Sequence, residues 1–214
     1  MNGVIPIFYD LRSALIYFDL PCIIPPSDCF KTCKVFIAQG GIMDDVFEKN
    51  GKLSLGLFSS NAQAVLEESI KLGVATHSDH IRTSHLFMGL IAFPDPGIVD
   101  WGQSLKADLK QLLMQFQELF HQEKAPEHPK LFLHREFLSD QVIALIREAK
   151  DRCLTHARKS IHPMDLLITL LNDSESVVVD CFQRIGITAA KLTEYAVLAE
   201  SRCYTSGESG LDAA

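Results

Sequence analysis

The sequence predicts an all-α fold in which two copies of one helical unit are related by a pseudo-twofold axis. Three observations predict it. Residues 58 to 200 place apolar side chains at i, i+3 and i+4 with few interruptions. The stretch RTSHLFMGLI at 82–91 is echoed by HPMDLLITLL at 162–171. Between the echoes lies a polar, proline-bearing break, HQEKAPEHPKLFLHRE, which reads as a linker. Around them the register is nearly constant: Phe58 and Phe137, Leu66 and Leu145, and His77 and His156 stand 79 apart, whereas Ile81 and Ile161, Leu86 and Leu166, and Leu90 and Leu170 stand 80 apart. This predicts one residue inserted in the turn after the histidine. Two long copies with a break suggest a pair of stacked units rather than a solenoid of many short repeats.

In chain order, SSNAQAVLEESIKLG puts Ala62, Val65, Leu66, Ser69, Ile70 and Gly73 on one helical face, with Ser59 or Ser60 as N-cap. TSHLFMGLIAF begins at Thr83, stops at Pro94 and is apolar nearly all round, which predicts a buried helix. PDPGIVDWGQS reads as loop or a single turn. LKADLKQLLMQFQELFHQ then carries Leu105, Leu109, Leu112, Leu113, Phe116 and Phe120 on one stripe. After the break the order repeats: Val142, Leu145, Ile146, Ala149 and Cys153 share a face, Pro163 opens the next helix at its first position, and SESVVVDCFQRIG and TAAKLTEYAVLAES follow. The division expected is a poorly patterned segment at 1–57, a double unit at 58–200 (58–121, linker 122–136, 137–200) and a polar tail at 201–214. Translation from Met43 would make MDDVFEKNGKLSLGLF a natural lead-in to the first copy.

Composition narrows the class of partner. The chain has 214 residues, 47% hydrophobic and 22% charged, as an ordinary globular protein does. Its 27 acidic residues outnumber 20 basic ones, so its surface repels a phosphate backbone and nucleic acid is not an expected partner. Six cysteines are too sparse for a disulfide scaffold, which fits reduced thiols and a cytoplasmic location. Asp10, Arg12 and Asp19 interrupt the apolar opening segment before it reaches membrane-spanning length, and no signal-peptide pattern is present, so no membrane association is expected.

Candidate chemistry comes in three groups. His77, His80 and His85 could bind zinc if they converged with Asp79, but H-x-x-H-x-x-x-x-H straddles a turn and a helix start and matches no closed zinc pattern. The alternative is that each histidine after the first helix of its copy bonds local backbone and fixes the turn. Cys22, Cys29 and Cys33 could hold a soft metal or a redox pair, but lack the paired C-x-x-C of a zinc ribbon. Cys153 and Cys181 lie on apolar faces and read as core. Phe93 and Trp101, flanking PDPGIVD, are candidates for a binding hot spot, with core packing of Trp101 as the alternative. Arg147 with Asp151 and Glu148 with Arg152 read as helix pairs at i, i+4. No cofactor and no metal is expected.

Both copies, FSSNAQAVLEESIKLGVATHSDHIRTSHLFMGLI and FLSDQVIALIREAKDRCLTHARKSIHPMDLLITLL, resemble the Clp N-terminal repeat, the double helical module at the front of Clp unfoldases. The FQRIGITAAKL that follows the second leucine run is similar to the family as well. The resemblance spans residues 58 to about 200 and implies an all-α fold of about eight helices in two halves and a non-enzymatic protein-binding module. Its expected role is that of an adaptor or accessory factor, with a Clp-type ATPase or peptidase, a substrate or another adaptor protein as partner. Ser59, Ser84, His85, Phe93, Trp101, Met164 and Asp165 are the expected protein-binding residues. Members that read phosphoarginine carry a glutamate where this chain has Ser84 and Met164, so that activity is not implied. The threonine that follows the family's aromatic is matched by Ser59 in one copy and Leu138 in the other. No G-x-x-x-x-G-K-[ST] phosphate loop occurs. Two alternatives stand beside this reading: the N-terminal fragment of a full Clp ATPase, against which the start at Met1 and the polar end favour a free-standing copy, and a small metal- or thiol-dependent enzyme.

Overall fold

Ser59 and Ser139 start the two long helices in the same way. Each backbone is extended, and each hydroxyl accepts the N–H of the residue three further on, Ala62 or Val142, at 3.3 Å. The computed structural model describes residues 46–123 and 130–208. Among them are eight α-helices: α1 (Ser60–Ala75), α2 (Thr83–Ala92), α3 (Pro96–Ser104), α4 (Leu109–Phe120), α5 (Asp140–Thr155), α6 (Pro163–Asn172), α7 (Val177–Arg184) and α8 (Ala189–Glu208). Two short 3-10 turns, Leu55–Leu57 and Arg135–Phe137, precede α1 and α5. Among the described residues, β structure is confined to isolated bridges. Residues 1–45 of the expected N-terminal segment, with Cys22, Cys29, Cys33 and the start at Met43, lie outside the described residues.

The register is 80 throughout, which corrects the expected insertion. The 3-10 turns, the capping serines, the ends of α1 and α5 and the starts of α2 and α6 all pair at that interval. So do the left-handed turn residues, His77 (φ 59°) with Ala157 (φ 53°) and Lys106 (φ 56°) with Gly186 (φ 83°). His77 and His156 are therefore not equivalent: His156 caps α5 as Thr76 caps α1. Likewise Ser59 answers to Ser139, and Leu138 answers to Phe58.

Two further expectations change. Residues 96–104 form a helix rather than a loop, because Asp95 accepts the Gly97 N–H at 3.0 Å and Pro96 supplies a preset φ, while Ile98 and Trp101 give the turn an apolar face to bury. Leu105 belongs to the end of that helix, not to α4, which is started by Asp108 accepting from Lys110 and Gln111. The linker also contributes to the core: Leu131 and Leu133 are buried, and Leu53 donates its N–H to the Leu133 carbonyl at 2.9 Å.

The halves are interlocked, not merely adjacent. Ile161, just before α6, bridges in parallel to Phe58, just before α1; Ile81, just before α2, bridges in parallel to Leu138, just before α5. The four backbone bonds are reciprocal: Ser59 to Ile161 (2.9 Å) and Ile161 to Leu57 (2.8 Å), then Ser139 to Ile81 (3.0 Å) and Ile81 to Phe137 (2.7 Å). Each half thus supplies the partner for the other's helix start. The buried helices α2 and α6 pack on each other at the axis, α1 and α4 cover α2, and α5 and α8 cover α6. Phe87, Trp101 and Phe116 of the first half meet Phe182 of the second in a cluster with ring centroids 4.9 to 6.2 Å apart.

Candidate functional site: two clefts at the junction of the halves

Because the bridges run from one half to the other, the N-terminus of α1 faces the start of α6, and that of α5 faces the start of α2. A cleft opens at each place, each of about 510 Å³. The repeat relates them: Asn61 and His162 line the first, and their counterparts Gln141 and Arg82 line the second.

In the first cleft Met164 and Pro96 supply apolar surface, and Asp95, Asp100, Arg202 and Cys203 supply the remaining walls. Asn61 donates to Asp95 at 3.0 Å, while Arg202 donates to Asp100 at 2.7 Å and to Ser104 at 3.2 Å. The Cys203 thiol is pushed up by burial and then by the Asp95 and Asp100 carboxylates, against a smaller opposing effect of Arg202. The second cleft is polar: His80, Arg82 and Arg135 face Glu136 and Asp140, with Leu138 at its base.

The expected binding residues are distributed unevenly between surface and core. Met164 lines the first cleft through the small part of its side chain left exposed. Phe93, at the end of α2, is 42% exposed. Ser59 is half-buried and spends its hydroxyl on the α1 cap. Ser84, His85, Trp101 and Asp165 are buried, with at most 2% of each exposed, so their side chains present no face to a partner. Trp101 plugs the core between the halves and donates its indole N–H to the Leu192 carbonyl at 3.1 Å.

His85 and Asp165 occupy the same place in the two copies and solve the same problem differently. Each is the third residue of its helix and accepts the N–H of the residue before the helix at 2.9 Å, His85 Nδ1 from Arg82 and Asp165 Oδ2 from His162. That bond makes Nδ1 of His85 an acceptor, so the proton sits on Nε2, which donates to Thr76 Oγ1 at 3.1 Å; Thr76 in turn donates to the Leu72 carbonyl at 2.9 Å. Both ring nitrogens are used locally. Burial lowers the imidazole pKa from 6.5 to about 4, with the Arg82 charge contributing.

Asp165 sits instead among charges. Arg158 binds it directly, Arg152 Nε stands 3.4 Å away, and both arginines also bind Glu200 of α8, Arg158 at 3.2 Å. Burial raises the Asp165 pKa, opposed by the His162 N–H and the two arginines. In the first half the corresponding positions are Leu72, Ser78 and Phe120, so the charge cluster belongs to one half only. Among the described residues no group of three His, Cys, Asp or Glu side chains could hold a metal ion, and no helix is long and apolar enough to cross a membrane.

Sequence reasoning missed Asn61, Asp95, Asp100, His162, Arg202 and Cys203. The signal available for Asn61, Asp95 and His162 was position, since each lies at the start of a helix that the repeat brings to the junction.

Fold and clefts define an all-α double module, two four-helix halves interlocked about a pseudo-twofold axis. That is the fold of the Clp N-terminal domain. The Hsp104 N-terminal domain from Candida albicans is similar with a TM-score of 0.54 at 13% identity, over 65% of this chain and 89% of that one. The N-terminal domain of the caseinolytic protease associated chaperone ClpD from Arabidopsis thaliana is similar with a TM-score of 0.48 at 19% identity, over 71% of this chain and 99% of that one. No protein-family model and no curated protein sequence matches the chain.

Proposed function

We propose that this chain is a non-enzymatic protein-binding module that serves a Clp-type chaperone or protease as an adaptor or accessory factor, taking a substrate peptide or a partner subunit. The observation that carries the reading is the interlocked double fold with a cleft at each junction, the same fold as that of domains at the front of Clp chaperones. The geometry is suited to docking rather than to chemistry. The most perturbed imidazole, His85, has both nitrogens bonded inside the core, and the buried carboxylate Asp165 is held by two arginines. What reaches the first cleft is the apolar surface of Met164 and Pro96 with polar edges, the composition of a recognition surface.

Phe93 and Met164 are proposed to contribute apolar contact, Ser59, Ser84, His85 and Asp165 to act through the helix starts that shape the clefts, and Trp101 to hold the halves together behind them. A cytoplasmic location fits the partner. Affinity capture with the full chain as bait tests the proposal: a Clp ATPase or peptidase subunit is expected among the retained proteins. Retention of neither would overturn it.

A further inference from the structure

The helices that close the two halves differ in length. α4 has 12 residues and α8 has 20, although they begin at equivalent positions. After Phe120 the first half turns away, and Gln122 donates its N–H back to the Thr76 carbonyl at 3.0 Å. The second half continues as helix past Glu200, lies along α3 and brings Arg202 and Cys203 to the first cleft. Nothing from α4 lines the second cleft. The floors differ too. A Cβ at Gly97 would stand 2.7 Å from Met164 Sδ, so the thioether packs directly on the glycine next to Pro96 of the cleft wall, whereas the counterpart of Met164, Ser84, does not line the second cleft.

Resting on the protein-binding reading above, we propose that only the first cleft is a docking site, and that its occupant is an extended peptide segment with an apolar side chain beside a cationic one. The apolar side chain seats on Met164 and Pro96, where a polarizable thioether adapts to varied shapes. The cationic side chain faces Asp95 and Asp100. Charge supports this polarity: the two carboxylates stand against Arg202, which is engaged by Asp100 and Ser104, and the field they set up reaches the Cys203 thiol more strongly than that of Arg202 does. A net charge of −7 over the chain favours approach of a cationic segment as well. In the second cleft arginines and carboxylates are mixed around a single leucine, which selects neither feature.

The test uses the full chain labelled at its five methionine methyl groups with carbon-13. Met164 reports the cleft, while Met88, fully buried, and Met114, 63% exposed, serve as internal references. The probes are the blocked hexapeptide Gly-Gly-Leu-Arg-Gly-Gly, its glutamate variant in place of arginine and its glycine variant in place of leucine. The Leu-Arg peptide is expected to shift the Met164 methyl signal to saturation at one peptide per chain, leaving the reference methyls in place. Each variant peptide should bind about fivefold more weakly or worse, the effect expected of losing one charge pair or one seated side chain. Asp100→Asn should weaken the Leu-Arg peptide by about fivefold, and Arg135→Ala, in the second cleft, should not. Two peptides per chain, equal binding of the glutamate peptide, or a Met164 signal that stays still up to millimolar peptide would each overturn the inference. A still Met164 signal in a chain that nevertheless captures a Clp ATPase removes this inference and leaves the protein-binding reading standing; loss of both removes both.

Discussion

Lowering the pH should destabilise this protein through His85, by an amount that the geometry sets. The imidazole is 2% exposed, accepts the Arg82 N–H on Nδ1 and donates from Nε2 to Thr76. A second proton must go on Nδ1, where it meets a backbone donor instead of an acceptor, in a site too buried to hydrate the charge. The folded pKa is accordingly about 4, against 6.5 for the free side chain. Between those two values the unfolded chain binds the proton and the folded chain does not, so stability falls as pH falls through that window. At roughly 1.4 kcal/mol per pH unit, the loss accumulates to about 3 kcal/mol by pH 4. Urea denaturation followed by circular dichroism from pH 7.5 to 4 reads it, with His85→Gln as reference, because glutamine can accept the Arg82 N–H but does not titrate. Wild type minus variant cancels the carboxylates common to both, and the difference should shrink by about 3 kcal/mol across the window. A difference that does not change with pH, or an NMR titration of His85 with a midpoint near 6.5, would refute the reasoning.

The other predictions concern packing and the charge cluster. Gly89→Ala should cost at least about 2 kcal/mol in urea unfolding, because the new Cβ would stand 2.3 Å from Ser69 Oγ and 2.7 Å from the Val65 carbonyl oxygen; Gly56→Ala, with nothing within 4 Å, is the matched control and should change little. Trp101→Phe removes the indole bond to Leu192 and part of the ring that fills the junction, for about 2 kcal/mol. Arg158→Met leaves the Asp165 carboxylate with Arg152 at 3.4 Å as its remaining cation, for about 3 kcal/mol at pH 7. Since this raises the folded pKa of Asp165 further, the penalty is present while the carboxyl is ionised and should fade as the pH falls through that raised pKa, where the folded carboxyl takes up its proton.

Helices and repeat were legible because they are written locally. The face Val142, Leu145, Ile146, Ala149 and Cys153 is buried as its spacing requires, and α2 and α6 are enclosed because they are apolar all round. The expected insertion fails because Phe58 with Phe137, Leu66 with Leu145 and His77 with His156 match by residue type but not by position; the capping serines Ser59 and Ser139, which sit at the same point of their helices, stand 80 apart. Residues 96–104 read as loop or a single turn because Pro and Gly weigh that way, whereas Pro at the first helical position favours a helix start.

The clefts were not legible. Asn61 meets Asp95 across 34 residues, and Arg202 meets Asp100 across 102, distances at which no periodicity speaks. Arg152 shows the same limit: its sequence neighbours suggested a surface pair with Glu148, whereas it turns inward to Asp165 and to Glu200 of α8.

Capture by the full chain, compared with a chain carrying Asp100→Lys in the first cleft, tests the central claim most directly. Wild type is expected to retain a Clp ATPase or peptidase subunit and the variant to lose it while keeping its circular dichroism spectrum. Absence of any Clp component from the wild-type capture, or equal retention by both chains, would contradict the account of a protein-binding module that works through this cleft.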